Sequence, residues 1–178
     1  GNGALYDATQ GTMYEGEFVH GMKSGQGTFA WDDGETYTGG FLDDKMHGHG
    51  CATYKDGLVY TGQFFENDCR GKGTFVWKNG DWYKGMVRNN VAHGTGSRSV
   101  ASGRALLEGR FTDGYLTGEG TITFTAIPEP KDALGDPKGV FKGAVKMNMP
   151  HGSGTFTFPD GSKLSGEFYW YRPETGEE

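Results

Sequence analysis

Cysteine is scarce in this 178-residue chain: there are two, Cys51 and Cys69, and their spacing is not that of a metal site. With no Asn-x-Ser/Thr site either, the pair fits a reducing, cytoplasmic setting. No apolar stretch approaches the 18 or so residues of a membrane span. No secretory leader is evident. The N-terminus, GNGALYDATQGTM, lacks an initiator methionine and starts in mid-pattern, so a fragment of a longer chain is expected. Catalytic signatures are missing as well. There is no G-x-G-x-x-G, no G-x-S-x-G and no complete phosphate loop, since Gly16 to Gly21 and Gly34 to Gly39 lack the lysine and hydroxyl that follow. Carboxylates such as Glu15, Glu17, Asp32 and Asp33 fall on exposed strand and turn positions, whereas a catalytic pair needs burial to separate its pKa values. Positive charge is short too. The net charge of −6 argues against a general binder of nucleic acid or anionic membranes.

Glycine is what the chain has in excess, 33 of 178 residues against a usual share of about 7 %. Collagen is excluded because glycine does not fall strictly at every third residue. Disorder is excluded by the 14 % of aromatic residues, which disordered chains lack. Glycine with aromatics points to short strands packed through tight turns.

The glycines recur. YEGEFVHGMKSGQGTFAWDDGET, residues 14–36, is followed by the same skeleton from Tyr37 and again from Tyr60. Counting from the first aromatic, position 1 is Tyr14, Tyr37, Tyr60, Tyr83, Leu107, Phe141 and Leu164. Position 3 is glycine every time, from Gly16 to Gly166, and position 5 is Phe18, Phe41, Phe64, Val87, Phe111, Val145 and Phe168. Positions 12 and 14 are both glycine in every full repeat. Positions 1 and 5 share one strand face because side chains alternate. Positions 16 and 18 do the same on a second strand, as in Phe29 with Trp31, Phe75 with Trp77 and Phe156 with Phe158. DDG, KDG, KNG and PDG between repeats are turn signals. Each repeat is thus a β-hairpin paired with the next, and the fold is all-β: an elongated single-sheet meander about 60–70 Å long. Full repeats fall near 14–36, 37–59, 60–82, 83–106, 107–140 and 141–163, with partial repeats at 1–13 and 164–178.

Y-x-G-x-F-x(2)-G-x(3)-G-x-G, with a D-G turn and a 23-residue period, resembles the MORN (membrane occupation and recognition nexus) repeat. The resemblance implies a non-catalytic array that binds protein partners, as a helix or extended peptide in its groove, within cytoskeletal, ciliary or other large assemblies. It also implies a possible end-to-end self-association. Phosphoinositide binding has been proposed for the family.

Three departures from the pattern are informative. Arg98 and Val100 replace the rings at positions 16 and 18 of repeat 4. Residues 83–110 carry Lys84, Arg88, Arg98, Arg104 and Arg110 against Glu108 alone, while residues 1–82 are net −6. An insertion at 126–140 holds three of the six prolines. The basic segment reads either as a worn, solvated repeat or as a docking patch for anionic lipid. Tyr169, Trp170 and Tyr171 would cover the last sheet edge or meet a second copy. His47, His93 and His151 precede glycine in alternate repeats, about 20 Å apart, too far to share a metal. No cofactor, metal or nucleic acid is expected. The leading expectation is a scaffold whose partner groove uses Tyr14, Phe18, Phe29, Trp31, Tyr37, Phe41, Tyr54, Tyr60, Phe64, Phe75, Trp77 and Tyr83, most of which would also serve as core. The alternatives are a peripheral lipid-binding module and the regulatory array of a larger enzyme.

Overall fold

Two residues in the left-handed region close each hairpin. In the computed structural model, which describes residues 1–100, 103–125 and 138–169, these turn pairs are His20–Gly21, Asp43–Asp44, Glu66–Asn67, Asn89–Asn90, Asp113–Gly114 and Met147–Asn148. Their φ values lie between 48° and 88°, the geometry of a type I′ turn, whose twist matches that of the flanking strands. The joints between hairpins differ. Trp31 donates its N–H to the Glu35 carbonyl at 3.0 Å, and Gly34, at φ 92°, donates to the Trp31 carbonyl at 3.2 Å. The D-G signals of the sequence mark these joints.

Fourteen strands result among the described residues. The first seven are β1 (Asn2–Asp7), β2 (Thr12–Val19), β3 (Met22–Ala30), β4 (Thr36–Leu42), β5 (Lys45–Thr53), β6 (Val59–Phe65) and β7 (Asp68–Val76). The others are β8 (Trp82–Arg88), β9 (Val91–Val100), β10 (Ala105–Thr112), β11 (Tyr115–Phe124), β12 (Gly139–Lys146), β13 (Met149–Thr157) and β14 (Lys163–Tyr169). They form one antiparallel sheet whose spatial order is the chain order. At about 4.8 Å per strand the array is about 60 Å long. Residues 126–137 of the expected insertion lie outside the described residues, as do Trp170 and Tyr171.

The glycines line up across the whole sheet. Gly3 pairs with Gly16, Gly16 with Gly27, Gly27 with Gly39, and Gly39 with Gly50. The line continues through Gly62, Gly73, Gly85, Gly96, Gly109, Gly120, Gly143 and Gly154 to Gly166. Every strand contributes one residue without a Cβ to a single lane. The position 1 tyrosine folds over this lane. A Cβ on Gly16 would lie 2.5 Å from the Tyr14 hydroxyl, and one on Gly27 would lie 2.5 Å from its ring. A register shift follows position 3 in β2, β4, β6, β8, β10 and β12, so the residue at position 4 bulges. The tyrosine hydroxyl donates to that residue's freed carbonyl: Tyr14 to Glu17 at 2.9 Å, Tyr37 to Gly40 at 2.8 Å, Tyr60 to Gln63 at 2.9 Å and Tyr83 to Met86 at 2.6 Å. A buried phenol is thereby satisfied.

The core is the ring stack along this face. Tyr14, Phe41, Tyr37, Phe64 and Tyr60 meet edge to face at centroid distances of 4.9–5.1 Å. Val87 replaces a ring in repeat 4, and the stack resumes with Tyr83 and Phe111 at 5.1 Å. Position 10 joins the core opposite position 5, as Cys69 opposite Phe64 and Ala92 opposite Val87.

Neighbouring repeats are also clasped by Asp or Asn at the second turn position. Asp44 accepts the N–H of Lys23 at 2.8 Å, Asn67 that of Met46 at 2.9 Å, Asn90 that of Cys69 at 2.7 Å and Asn148 that of Leu116 at 2.7 Å. The same turn residues donate their own N–H groups to the carbonyls of Lys23, Met46, Cys69 and Leu116.

Gly50→Ala would set its Cβ 2.5 Å from the Tyr37 ring, so we expect a loss of about 2–4 kcal/mol in chemical denaturation. Gly166→Ala, which meets nothing within 4 Å, stays within about 0.5 kcal/mol of the parent. Equal effects would mean that ring contact does not set the glycine requirement. Asn67→Gly keeps the left-handed turn and the backbone half of the clasp but deletes its side-chain half, and the same titration should show a loss of about 1 kcal/mol.

Candidate functional site: the aromatic face

Strand alternation sorts the aromatic residues into those that build the sheet and those left at its surface. Tyr14, Tyr37, Phe41, Tyr60, Phe64, Phe75 and Tyr83 are buried against the glycine lane and one another. Apart from Phe75, which lines a pocket on this face, they offer a partner no surface. Phe18, Phe29, Trp31, Tyr54 and Trp77 are half-buried on the same face. Trp31 rests on Phe29 with centroids 4.6 Å apart, and Trp77 on Phe75 at 5.9 Å. These position 18 rings sit at the joints between hairpins, where the backbone is held by the Trp31–Glu35 and Trp77–Asp81 hydrogen bonds.

Tyr54 has no such neighbour, because position 16 of its repeat is Ala52 between Phe29 and Phe75 in the adjacent repeats. The missing ring opens a pocket of about 420 Å³, walled by Trp31, Tyr54, Leu58 and Phe75, floored by Ala52 and edged by Glu35, Asn67 and Asn90. Below it the Tyr54 hydroxyl lies 3.7 Å from Sγ of Cys69. A second depression, of about 410 Å³, lies on the opposite face over Gly62, Gly73 and Gly85, between Lys72, Lys84 and a row of threonines.

The five residues of the basic segment do not share a surface. Arg98 points to the aromatic face, with its guanidinium 4.9 Å from the Trp77 ring and Nη1 donating to the Gly114 carbonyl at 3.0 Å. Lys84 lines the depression on the other side. Arg88, Arg104 and Arg110 are exposed at a strand end, a turn and a bulge respectively. Tyr169 is 71 % exposed and meets His151 edge-on at 5.6 Å. Among the described residues no group of three or more His, Cys, Asp or Glu side chains is placed to hold a metal ion.

Burial sets the acid–base behaviour of the core. Desolvation pushes Tyr37 and Tyr83 up to about 12 and raises Tyr54 and Tyr60 further. It pushes the Cys69 thiol up to about 11. A folded-state pKa above the unfolded one adds stability that is intact below the unfolded value, near 10 for tyrosine, and is lost as pH rises through the folded value. The melting temperature should therefore hold steady to about pH 10 and fall steeply towards about pH 12, with phenolate absorbance of the buried tyrosines rising only as the sheet unfolds. Smooth ionisation of all tyrosines near pH 10 without unfolding would contradict this.

A family model described as the MORN repeat matches residues 14–36, 37–59, 60–82, 83–103, 108–125 and 141–163. A comparison with curated proteins finds no match. Among solved structures the chain is similar to one described as "SAS-4 (dCPAP) TCP domain in complex with a Proline Rich Motif of Ana2 (dSTIL) of Drosophila Melanogaster". The TM-score is 0.50 and the identity 10%, covering 92% of this chain and 88% of that one. At that identity the likeness is one of fold. The matched segments span most of the sheet, and each falls on one glycine-pinned hairpin. The chain belongs to the MORN-repeat family.

Proposed function

We propose that this array is a non-catalytic interaction module that holds an extended segment of a partner protein along its aromatic face. The observation that carries the reading is the row of half-buried rings, Phe29, Trp31, Tyr54 and Trp77, beside an open pocket on a face whose core is already filled. Trp and Tyr at the rim of a rigid sheet supply apolar area at little cost in conformational entropy, which is why such residues dominate binding energy. A solved chain of similar fold is described as a complex with a proline-rich motif, which supports a peptide partner for this array. A role within a cytoskeletal or ciliary assembly belongs to the same reading and rests on the family.

Peptides selected by display against the wild-type array provide the test. Trp31→Ala and Trp77→Ala, each checked for an unchanged fold by circular dichroism, should weaken the selected peptides by about tenfold or more. Tyr115→Ala, an exposed ring outside the groove, should leave them unchanged. Peptides indifferent to both tryptophans would place the binding surface elsewhere.

A further inference from the structure

The chain caps the rings of this face with its own cations at two places. Lys23 Nζ lies 4.6 Å from the Phe29 centroid and 5.8 Å from that of Tyr14. The Arg98 guanidinium lies 4.9 Å from Trp77. Between these two capped sites is the Ala52 pocket, where Trp31, Tyr54 and Phe75 form three aromatic walls. Among the described residues, no cation of the chain lies over Trp31, Tyr54 or Phe75. Glu35 lines the same pocket, and its Oε1 accepts the Lys55 backbone N–H at 3.2 Å. No basic side chain among the described residues forms an ion pair with Glu35. Residues 1–82, which build this part of the sheet, are net −6.

Aromatic faces present negative charge to a cation, and a nearby carboxylate adds to it. A wholly apolar side chain would satisfy the rings and leave the Glu35 carboxylate, which accepts the Lys55 N–H, with no opposite charge beside it. We propose that the Ala52 pocket receives one lysine or arginine side chain of the partner segment, in the way Lys23 and Arg98 occupy the flanking rings. This rests on the partner-binding reading above and specifies its chemistry. The alkyl stem would lie against Leu58 and Phe75 while the charged head meets Trp31, Tyr54 and Glu35. The site exists because repeat 2 carries alanine where repeats 1 and 3 carry phenylalanine.

The probe is N-acetyl-lysine methylamide beside N-acetyl-norleucine methylamide, which has the same stem without the charge. Each is titrated into the intact chain while the Trp31 indole N–H signal is followed by NMR. The lysine probe should shift Trp31 and bind about tenfold more tightly than norleucine. Glu35→Gln should narrow that ratio several-fold without changing the norleucine affinity. Ala52→Phe, which installs the residue found in the adjacent repeats, should abolish both shifts while the melting temperature confirms the fold. Equal or tighter binding of norleucine, a ratio unaffected by Glu35→Gln, or no Trp31 shift with lysine would each overturn the assignment. If display-selected peptides need Trp31 and Trp77 but tolerate Ala52→Phe, the pocket assignment fails and the aromatic face still binds. If they ignore both tryptophans, the face reading itself fails.

Discussion

The tyrosine ring lying on a pair of glycines is the contact on which the sheet depends. It asks for two things at once: backbone bare of Cβ on two adjacent strands, and an acceptor at the ring's far end. The glycine lane supplies the first and the bulged carbonyl at position 4 the second. Glycine in a strand interior ordinarily weakens it by entropy and by lost packing. Here the ring fills the space that the absent side chains leave. A one-layer sheet has no second layer to cover it. Folding a large ring flat onto its own backbone gives this sheet a core without one.

The later repeats show what happens when that contact changes. Leu107 and Phe141 replace the tyrosine and cannot reach the carbonyls of Arg110 and Ala144 with a hydroxyl. Around Gly109 and Gly120 the space is filled from position 10 instead, by Leu116, whose Cδ1 and Cδ2 lie close to where their Cβ atoms would be. The same core volume is met by a different side chain. Repeat 4 departs on the outer row, where Arg98 takes the ring's position and lies against Trp77 of the preceding repeat. The aromatic face of the first three repeats thus ends at a residue that is both cation and packing element.

Much of this was readable in the residues, and what was not has physical causes. The 23-residue recurrence of glycine and rings marked the hairpins, their order and the shared face of positions 1 and 5. The bulge left no trace because its residue is Glu17, Gly40, Gln63, Met86, Arg110 or Ala144, with no common chemistry. Without the bulge, position 10 could not be matched to position 5, and Cys69 and Leu116 were missed as core. The clasps of Asn67 and Asn90 join residues 21 apart in different hairpins, so their partners appear only once the repeats are stacked. The basic segment was one run along the chain, but alternation puts Arg98 and Lys84 on opposite faces. Among the groove candidates, identity alone could not separate buried Phe75 on β7 from half-buried Trp77, two residues on at the joint that follows. The pocket depends on an absence, Ala52, and a pattern built from what recurs passes over it.

The strict chain order of the strands has a mechanical meaning. Tension between the two ends of the array acts across the strands, so it loads the rungs of one ladder at a time instead of shearing a whole edge at once. Such a sheet yields by peeling, hairpin by hairpin. Each hairpin released would pay out roughly 70–80 Å of extended chain, more than the folded length of the whole array. Joined at both ends to other structures, this sheet would be a stiff spacer at rest and a stepwise extensible tether under load.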